Sequence, residues 1–243
     1  MKEIAVIFWV LVLCAACRSA GLAADNRGEP LFNGRDLSGW SGDSNYWTVE
    51  DGAITGRSTA ERPVRANTFL IWTNGEPGDF ELTCKYRLVP SEGSAFANSG
   101  IQYRSKVLDW RTWSVGGYQA DLEAGPNYSG ILYEEKMTRG IMALRGEKVV
   151  WTSDCRKQVA GTVGDSAAIQ AGIHSRDWND YKIIAKGNRL SHFINGKQTV
   201  EVTDECPSKA AKNGVIALQM HVGAPFTAQF KDIYLKPLKT ENK

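Results

Sequence analysis

A chain of 243 residues, 42% of them hydrophobic and 10% aromatic, is long enough to bury a sizeable core, and all-β sandwiches of this length form single domains. Its 29 Lys and Arg oppose 27 Asp and Glu, a formal charge of +2. With so even a balance and no Lys/Arg cluster, the chain lacks the electrostatic footprint of a nucleic-acid binder.

Met1-Lys2 precedes an unbroken apolar run from Ile4 to Cys17, and small residues follow it (Ser19, Ala20, Gly21, Ala23, Ala24). As a helix that run spans roughly 21 Å, short of the roughly 30 Å of a bilayer core. Residues 1–24 therefore read as a secretory signal, cleaved after Ala23 or Ala24, and the protein is expected to be exported, periplasmic or extracellular. Lipid anchoring at Cys17 is the alternative, since Cys14-Ala15-Ala16-Cys17 approaches a lipobox with Cys where Leu is usual. No second long apolar run follows, so no membrane span is expected, and residues 25–243 are expected to form one domain. Of the remaining cysteines, Cys84 falls on the apolar face of a strand. Cys155 and Cys206 lie in polar stretches, where one disulfide and three free thiols are both open readings. No CxxC or HExxH pattern points to a structural zinc site.

In chain order, residues 31–40 open the mature domain with two Gly-containing turns and hydrophobic anchors. Short strands at 47–49 and 53–56 are split by Asp51-Gly52, a tight-hairpin signal. Residues 68–72 form an apolar strand. Residues 79–88 carry the clearest pattern: Phe80, Leu82, Cys84, Tyr86 and Leu88 alternate with Glu81, Thr83, Lys85 and Arg87, as in a half-buried antiparallel strand. A strand at 99–105, a polar Trp-bearing loop at 106–116 and a strand at 117–123 follow. Further strands are expected at 131–135, 141–144 and 149–152, with a surface loop at 156–165. A turn at 175–178 leads into a strand at 181–186. Gly187-Asn188 and Asn195-Gly196 are hairpin turns that bracket a strand at 189–194, and strands at 215–222 and 226–235 close the chain. About thirteen short strands with no amphipathic helix argue for an all-β sandwich or jelly roll.

Within residues 117–123, alternation places Gln119, Asp121 and Glu123 on one face and Tyr118, Ala120 and Leu122 on the other. Three hydrogen-bonding groups in a row suit a face that meets water or a polar ligand, here read as the floor of a carbohydrate site. The same alternation groups Asn98, Gln102 and Arg104. It also sets Gln219 and His221 opposite the apolar Ile216, Leu218 and Met220.

These stretches carry a resemblance. LFNGRDLSGW at 31–40, WTVEDGAITG at 47–56, NSGIQYR at 98–104, residues 117–123, SGILY at 129–133, WNDY at 178–181, FING at 193–196 and GVIALQMH at 214–221 together resemble the 3-keto-disaccharide hydrolase domain family. The resemblance runs from about Leu31 to Leu238. It departs from the family pattern at Gln119, Asp121, Glu134 and Met220. It implies a concanavalin A-like jelly-roll β-sandwich of two curved antiparallel sheets, and cleavage of glycosides whose sugar has been oxidised to a 3-ketone.

A ketone at C3 acidifies the hydrogen on C2. Cleavage then proceeds by proton abstraction, loss of the C1 oxygen and addition of water, which needs a base near C2 and an acid at the leaving oxygen. Direct hydrolysis with paired carboxylates is the other route. The candidate catalytic residues are Asp121, Glu123, Glu134 and His221. Of the adjacent Glu134 and Glu135, which point opposite ways, Glu134 is the one expected in the cleft. Histidine serves as base, acid or metal ligand; His174 and His192 read instead as structural. The candidate substrate-binding residues are Asn98, Gln102, Arg104, Trp110, Trp113, Gln119 and Gln219. Arg104 would hold an oxyanion or a hydroxyl, or pair with Asp121, while the two indoles would stack on a pyranose ring. No cofactor is assigned from the sequence beyond a divalent cation, which, if present, would sit on Asp121, Glu123 and His221. The expected partner is carbohydrate, with no nucleic acid. A non-catalytic lectin-like module is the competing reading, because fold does not settle function.

Overall fold

The computed structural model describes residues 27–239; residues 1–24, expected to be a secretory signal, and with them Cys17, lie outside the described residues. The strands in chain order are β1 (Glu29–Pro30), β2 (Trp40–Ser41), β3 (Trp47–Glu50), β4 (Ala53–Arg57), β5 (Thr68–Trp72), β6 (Phe80–Pro90), β7 (Asn98–Asp109), β8 (Ser114–Glu123) and β9 (Leu132–Glu135). They continue as β10 (Gly140–Ala143), β11 (Glu147–Trp151), β12 (Lys157–Thr162), β13 (Asn179–Lys186), β14 (Arg189–Ile194), β15 (Lys197–Asp204), β16 (Val215–Met220) and β17 (Phe226–Pro237). Among the described residues one short helix, α1 (Ser166–Gln170), begins on an N-cap bond from the Ala168 amide to the Asp165 carboxylate.

The strands build an all-β jelly roll of two sheets. The larger sheet runs β12-β11-β15-β14-β13-β6-β17-β4-β3, with β1 added beside β17; the smaller runs β10-β9-β8-β7-β16-β5-β2. Pairing is antiparallel except for β11 with β15. The alternation read along β6 is the observed burial: every second residue from Phe80 to Pro90 is buried. This inner face packs against the inner residues of β7 and β8 in one cluster that includes Ile101, Tyr103, Tyr118, Ala120 and Leu122. Phe80 and Tyr103 meet edge to face at 6.2 Å, a favoured aromatic geometry. His192 fills the space between the sheets, within hydrogen-bond distance of the Tyr103 and Tyr181 hydroxyls at 2.8 and 3.2 Å. Burial holds its pKa down at about 3, so it is a neutral core histidine.

The structure departs from the sequence reading at the edges. The expected loop at 106–116 is mostly strand, since β7 reaches Asp109 and β8 starts at Ser114. Residues 157–162, expected as loop, form β12. It is an exposed edge strand paired only with β11, and nothing buries one of its faces to impose alternation. β15 lies beyond the Asn195-Gly196 turn, where no strand was read. Cys155 and Cys206 form a disulfide with 4.7 Å between their Cα atoms, and Cys84 is a buried free thiol.

Candidate functional site

The outward face of β8 carries the polar row. Tyr118, Ala120 and Leu122 belong to the core, which turns Gln119 and Asp121 to the outer face of the smaller sheet. Register supplies their neighbours. Gly100 lies opposite Asp121 and Gln102 opposite Gln119, while Tyr133 lies opposite Gln119 and Glu135 opposite Gly117. Asn98, Gln119, Asp121 and Glu135 line a hollow of about 280 Å³. His221, Asn67 and Tyr133 line it too, with Tyr128 and Ile141 at its edge.

The hollow occupies only one end of this face. At the other end Phe69, Ile71, Val115, Val215 and Ala217 form a separate apolar cluster, with Val107 and Trp113 packed on it. The β7–β8 turn is tied over it: the Phe69 amide donates to the Trp113 carbonyl at 3.1 Å and the Thr68 hydroxyl to the Thr112 carbonyl at 3.1 Å.

Gly100 makes the floor possible through space. A Cβ there would stand 2.5 Å from Gln119 Cδ, so only glycine lets the Gln119 side chain lie across β7. In that position Gln119 Oε1 accepts from Gln102 Nε2 at 2.6 Å, and its Nε2 reaches Asp121 Oδ1 at 3.4 Å. Gln102 is fixed in turn by the Ser105 hydroxyl at 2.7 Å. Asn98 Oδ1 is buried in the hollow without a hydrogen-bond partner. Leaving buried polar atoms unpaired is costly, which suits a surface that completes its hydrogen bonds with a polar ligand. Gln102 and Gln219, expected to bind substrate, are fully buried and do not line the hollow.

Asp121 is 7% exposed. Burial pushes its pKa up to about 8, against the pull of the Leu122 amide and Gln119 and with the help of the Glu123 and Glu135 charges. It therefore holds its proton at neutral pH, the condition of a general acid. His221 Nδ1 lies 2.6 Å from the Val222 carbonyl oxygen. A carbonyl only accepts, so the proton sits on Nδ1, and in the neutral ring Nε2 carries the lone pair. Glu135 Oε1 accepts from Asn67 Nδ2 at 2.9 Å, and Asn67 Oδ1 accepts from the Val222 amide at 2.9 Å. Asn67 thus links the carboxylate of β9 to the backbone beside His221. The Asp121 carboxyl, the His221 imidazole and the anchored Glu135 carboxylate share one hollow.

Several expectations need correction. The sequence places Glu134, not Glu135, in the cleft; instead Glu134 is buried in an ion pair with Arg139 at 2.6 Å, and Arg139 also holds Asp204 at 2.8 Å. Arg104 does not join Asp121. A bulge breaks the β7–β8 register between Tyr103 and Lys106, with Arg104 at φ 46°, and this re-aims the side chain away from the polar row. Its guanidinium donates to Asp79 at 2.8 Å and to the carbonyls of Gly78 and Gly187 at 2.8 and 2.7 Å. Glu123 turns into the following loop, its Oε2 accepting from the Asn127 and Tyr128 amides at 2.9 Å each. Trp110 is exposed beside the β7–β8 turn, and Trp113 donates to the Ser41 hydroxyl at 3.1 Å; neither lines the hollow. Among the described residues no three His, Cys, Asp or Glu side chains are gathered for a metal ion, so Asp121, Glu123 and His221 do not form the cation site named from the sequence. Sequence reasoning missed Asn67, Tyr128, Tyr133 and Glu135. The last two become visible only when β9 is put in register with β8; Asn67 gives no local signal.

The fold and the site together define a class: two-sheet jelly rolls with a carboxyl-bearing polar hollow on one outer face. Within it, a family model described as a 3-keto-alpha-glucoside-1,2-lyase-like domain matches residues 28–236, and the chain belongs to that family. Among solved structures, a candidate glycosyl hydrolase from Parabacteroides distasonis is 18% identical with a TM-score of 0.56, covering 86% of this chain and 98% of its own. A second protein of that kind and organism is 18% identical with a TM-score of 0.53, covering 86% and 93%. The carbohydrate-binding module CBM66 from Bacillus subtilis is 14% identical with a TM-score of 0.50, covering 82% and 95%. At these identities the likeness concerns the fold. No protein of curated function matches the chain.

Proposed function

We propose that this protein is an exported enzyme that cleaves glycosides whose sugar carries a ketone at C3. The observation that supports it is the buried Asp121 carboxyl, its pKa pushed up to about 8, in one hollow with the His221 imidazole. In this reading His221 Nε2 takes the proton from C2. The electron pair forms the C1–C2 double bond, the C1–O bond breaks, and Asp121 gives its proton to the departing oxygen. Water then adds across the double bond at C1, so the sum is hydrolysis. Glu135, anchored by Asn67, accepts a sugar hydroxyl, and Asn98 and Gln119 supply further hydrogen bonds to the ring.

The test is incubation with a 3-keto-disaccharide and with its unoxidised counterpart, with product analysis. Cleavage of the keto sugar alone, lost in Asp121→Asn and His221→Gln, is the expected result. No cleavage of either sugar, with or without divalent metal, overturns the enzymatic reading. Glycan binding without turnover would then favour the lectin-like alternative, to which the unpartnered Asn98 Oδ1 is equally suited.

A further inference from the structure

We infer that the mouth of the hollow is a subsite for an aromatic aglycone, built by Tyr128 and Ile141; this rests on the glycoside-cleaving reading above. Both side chains line the hollow, yet they are 42% and 37% exposed, whereas Asp121 on the floor is nearly buried. Single exposed hydrophobics need no explanation. Two on the rim of one polar hollow do, and so does the way Tyr128 is held.

Tyr128 belongs to the loop between β8 and β9, and that loop is tied from several sides. Glu123 Oε2 accepts from the Asn127 and Tyr128 amides at 2.9 Å each. The Ser129 hydroxyl accepts from the Glu123 amide at 2.9 Å and donates to the Glu123 carbonyl at 2.7 Å. Arg145 donates to the carbonyls of Pro126 and Ser129 at 2.7 and 2.9 Å. The Gly130 amide donates to the Asp121 carbonyl at 3.0 Å. A loop so fixed that carries an exposed ring presents a preorganised stacking surface, because the entropy of ordering it is already spent. Glu123 is thus a positioning residue for Tyr128.

The geometry also sets which part of the substrate lies there. The oxidised ring must reach Asp121 and His221 on the floor. At about 280 Å³, just under the roughly 300–1,000 Å³ of small-molecule sites, the hollow takes one ring and leaves the group on C1 at the mouth. There the exposed side chains are an aromatic ring and a branched aliphatic one. A flat aryl group matches both, while a second sugar would leave most of its hydroxyls facing them.

Binding of unoxidised glucosides to the intact protein, followed by NMR titration, tests this without requiring turnover. A phenyl glucoside is expected to bind about fivefold to tenfold tighter than methyl glucoside. Tyr128→Ala removes the difference and Tyr128→Phe keeps it. Glu123→Gln, which weakens the loop's anchor, reduces the preference while leaving methyl glucoside binding unchanged. Equal affinity for the two glucosides, a preference that survives Tyr128→Ala, or an equal gain for a glucosyl disaccharide overturns the inference. A Tyr128-dependent aryl preference in a protein that cleaves no keto-glycoside supports the subsite and removes only the enzymatic reading.

Discussion

Glu134 and Glu135 are consecutive in β9 and face opposite sides of the smaller sheet. Glu134 is sealed in an ion pair with Arg139, while Glu135 accepts from Asn67 in the hollow. Alternation forces the division, and it gives the two carboxylates separable consequences. Glu134→Gln is expected to cost up to about 3 kcal/mol of stability, because it leaves Arg139 buried with one fewer counter-charge. Glu135→Gln should leave the melting temperature nearly unchanged and lower kcat/KM on a keto-glycoside about 10- to 100-fold. Thermal melts and initial rates on the two variants check this; the reverse pattern would mean that the faces are exchanged.

In the proposed reaction Asp121 links activity to pH. Acting there as the acid it must be protonated, so kcat/KM is expected to fall as pH rises through about 8. Stability carries the same signature. The folded pKa of about 8 lies above the unfolded value of about 3.9, so the folded state holds a proton that the unfolded state has released. The contribution is complete below about pH 4 and is lost as pH rises to about 8. Urea unfolding of the native protein and of Asp121→Asn across this range should show a loss in the former that the variant lacks.

His192 acts with the opposite sign. Its folded pKa of about 3 lies below the usual 6.5, so below about pH 6.5 the unfolded state takes up a proton that the folded state refuses. Stability from this group is present above that pH and is lost as pH falls towards 3. Replacement by Gln, which retains hydrogen-bonding capacity towards Tyr103 and Tyr181, should reduce the acid sensitivity in urea unfolding without altering the rate on a keto-glycoside.

Arg104 should behave as a structural residue. Arg104→Ala strands the Asp79 carboxylate and the carbonyls of Gly78 and Gly187, at an expected cost of about 3–5 kcal/mol. Arg104→Lys lacks the planar fork that reaches all three and should be intermediate in melting temperature, with KM unchanged where the protein remains folded.

Reduction of the Cys155–Cys206 bridge, which closes a separation of 51 residues, is expected to lower stability by about 2–4 kcal/mol. The bridge ties β15's end to the turn after β11, and neither cysteine lines the hollow. Cys155→Ser with Cys206→Ser should therefore melt earlier and bind glycosides as before.

The faces of the strands were legible from the chain because alternation is local: each side chain's side follows from its neighbours in sequence. Phe80 to Leu88, Gln119 with Asp121, and Gln219 set against the apolar Ile216 and Leu218 all lie as their spacing implies. What the alternation left open was which strand lies beside which, and in what register. That choice brought Tyr133 and Glu135 across from β8 and the Asn67 amide to the Glu135 carboxylate. It also set the bulge that carried Arg104 out of the row. Register and bulges answer to the packing of segments far apart in the chain, chiefly the two inner faces that share the core, so no stretch of sequence read alone contains them. The sequence by itself determined a polar floor on an all-β sandwich; the tertiary structure decided which carboxylates stand on it.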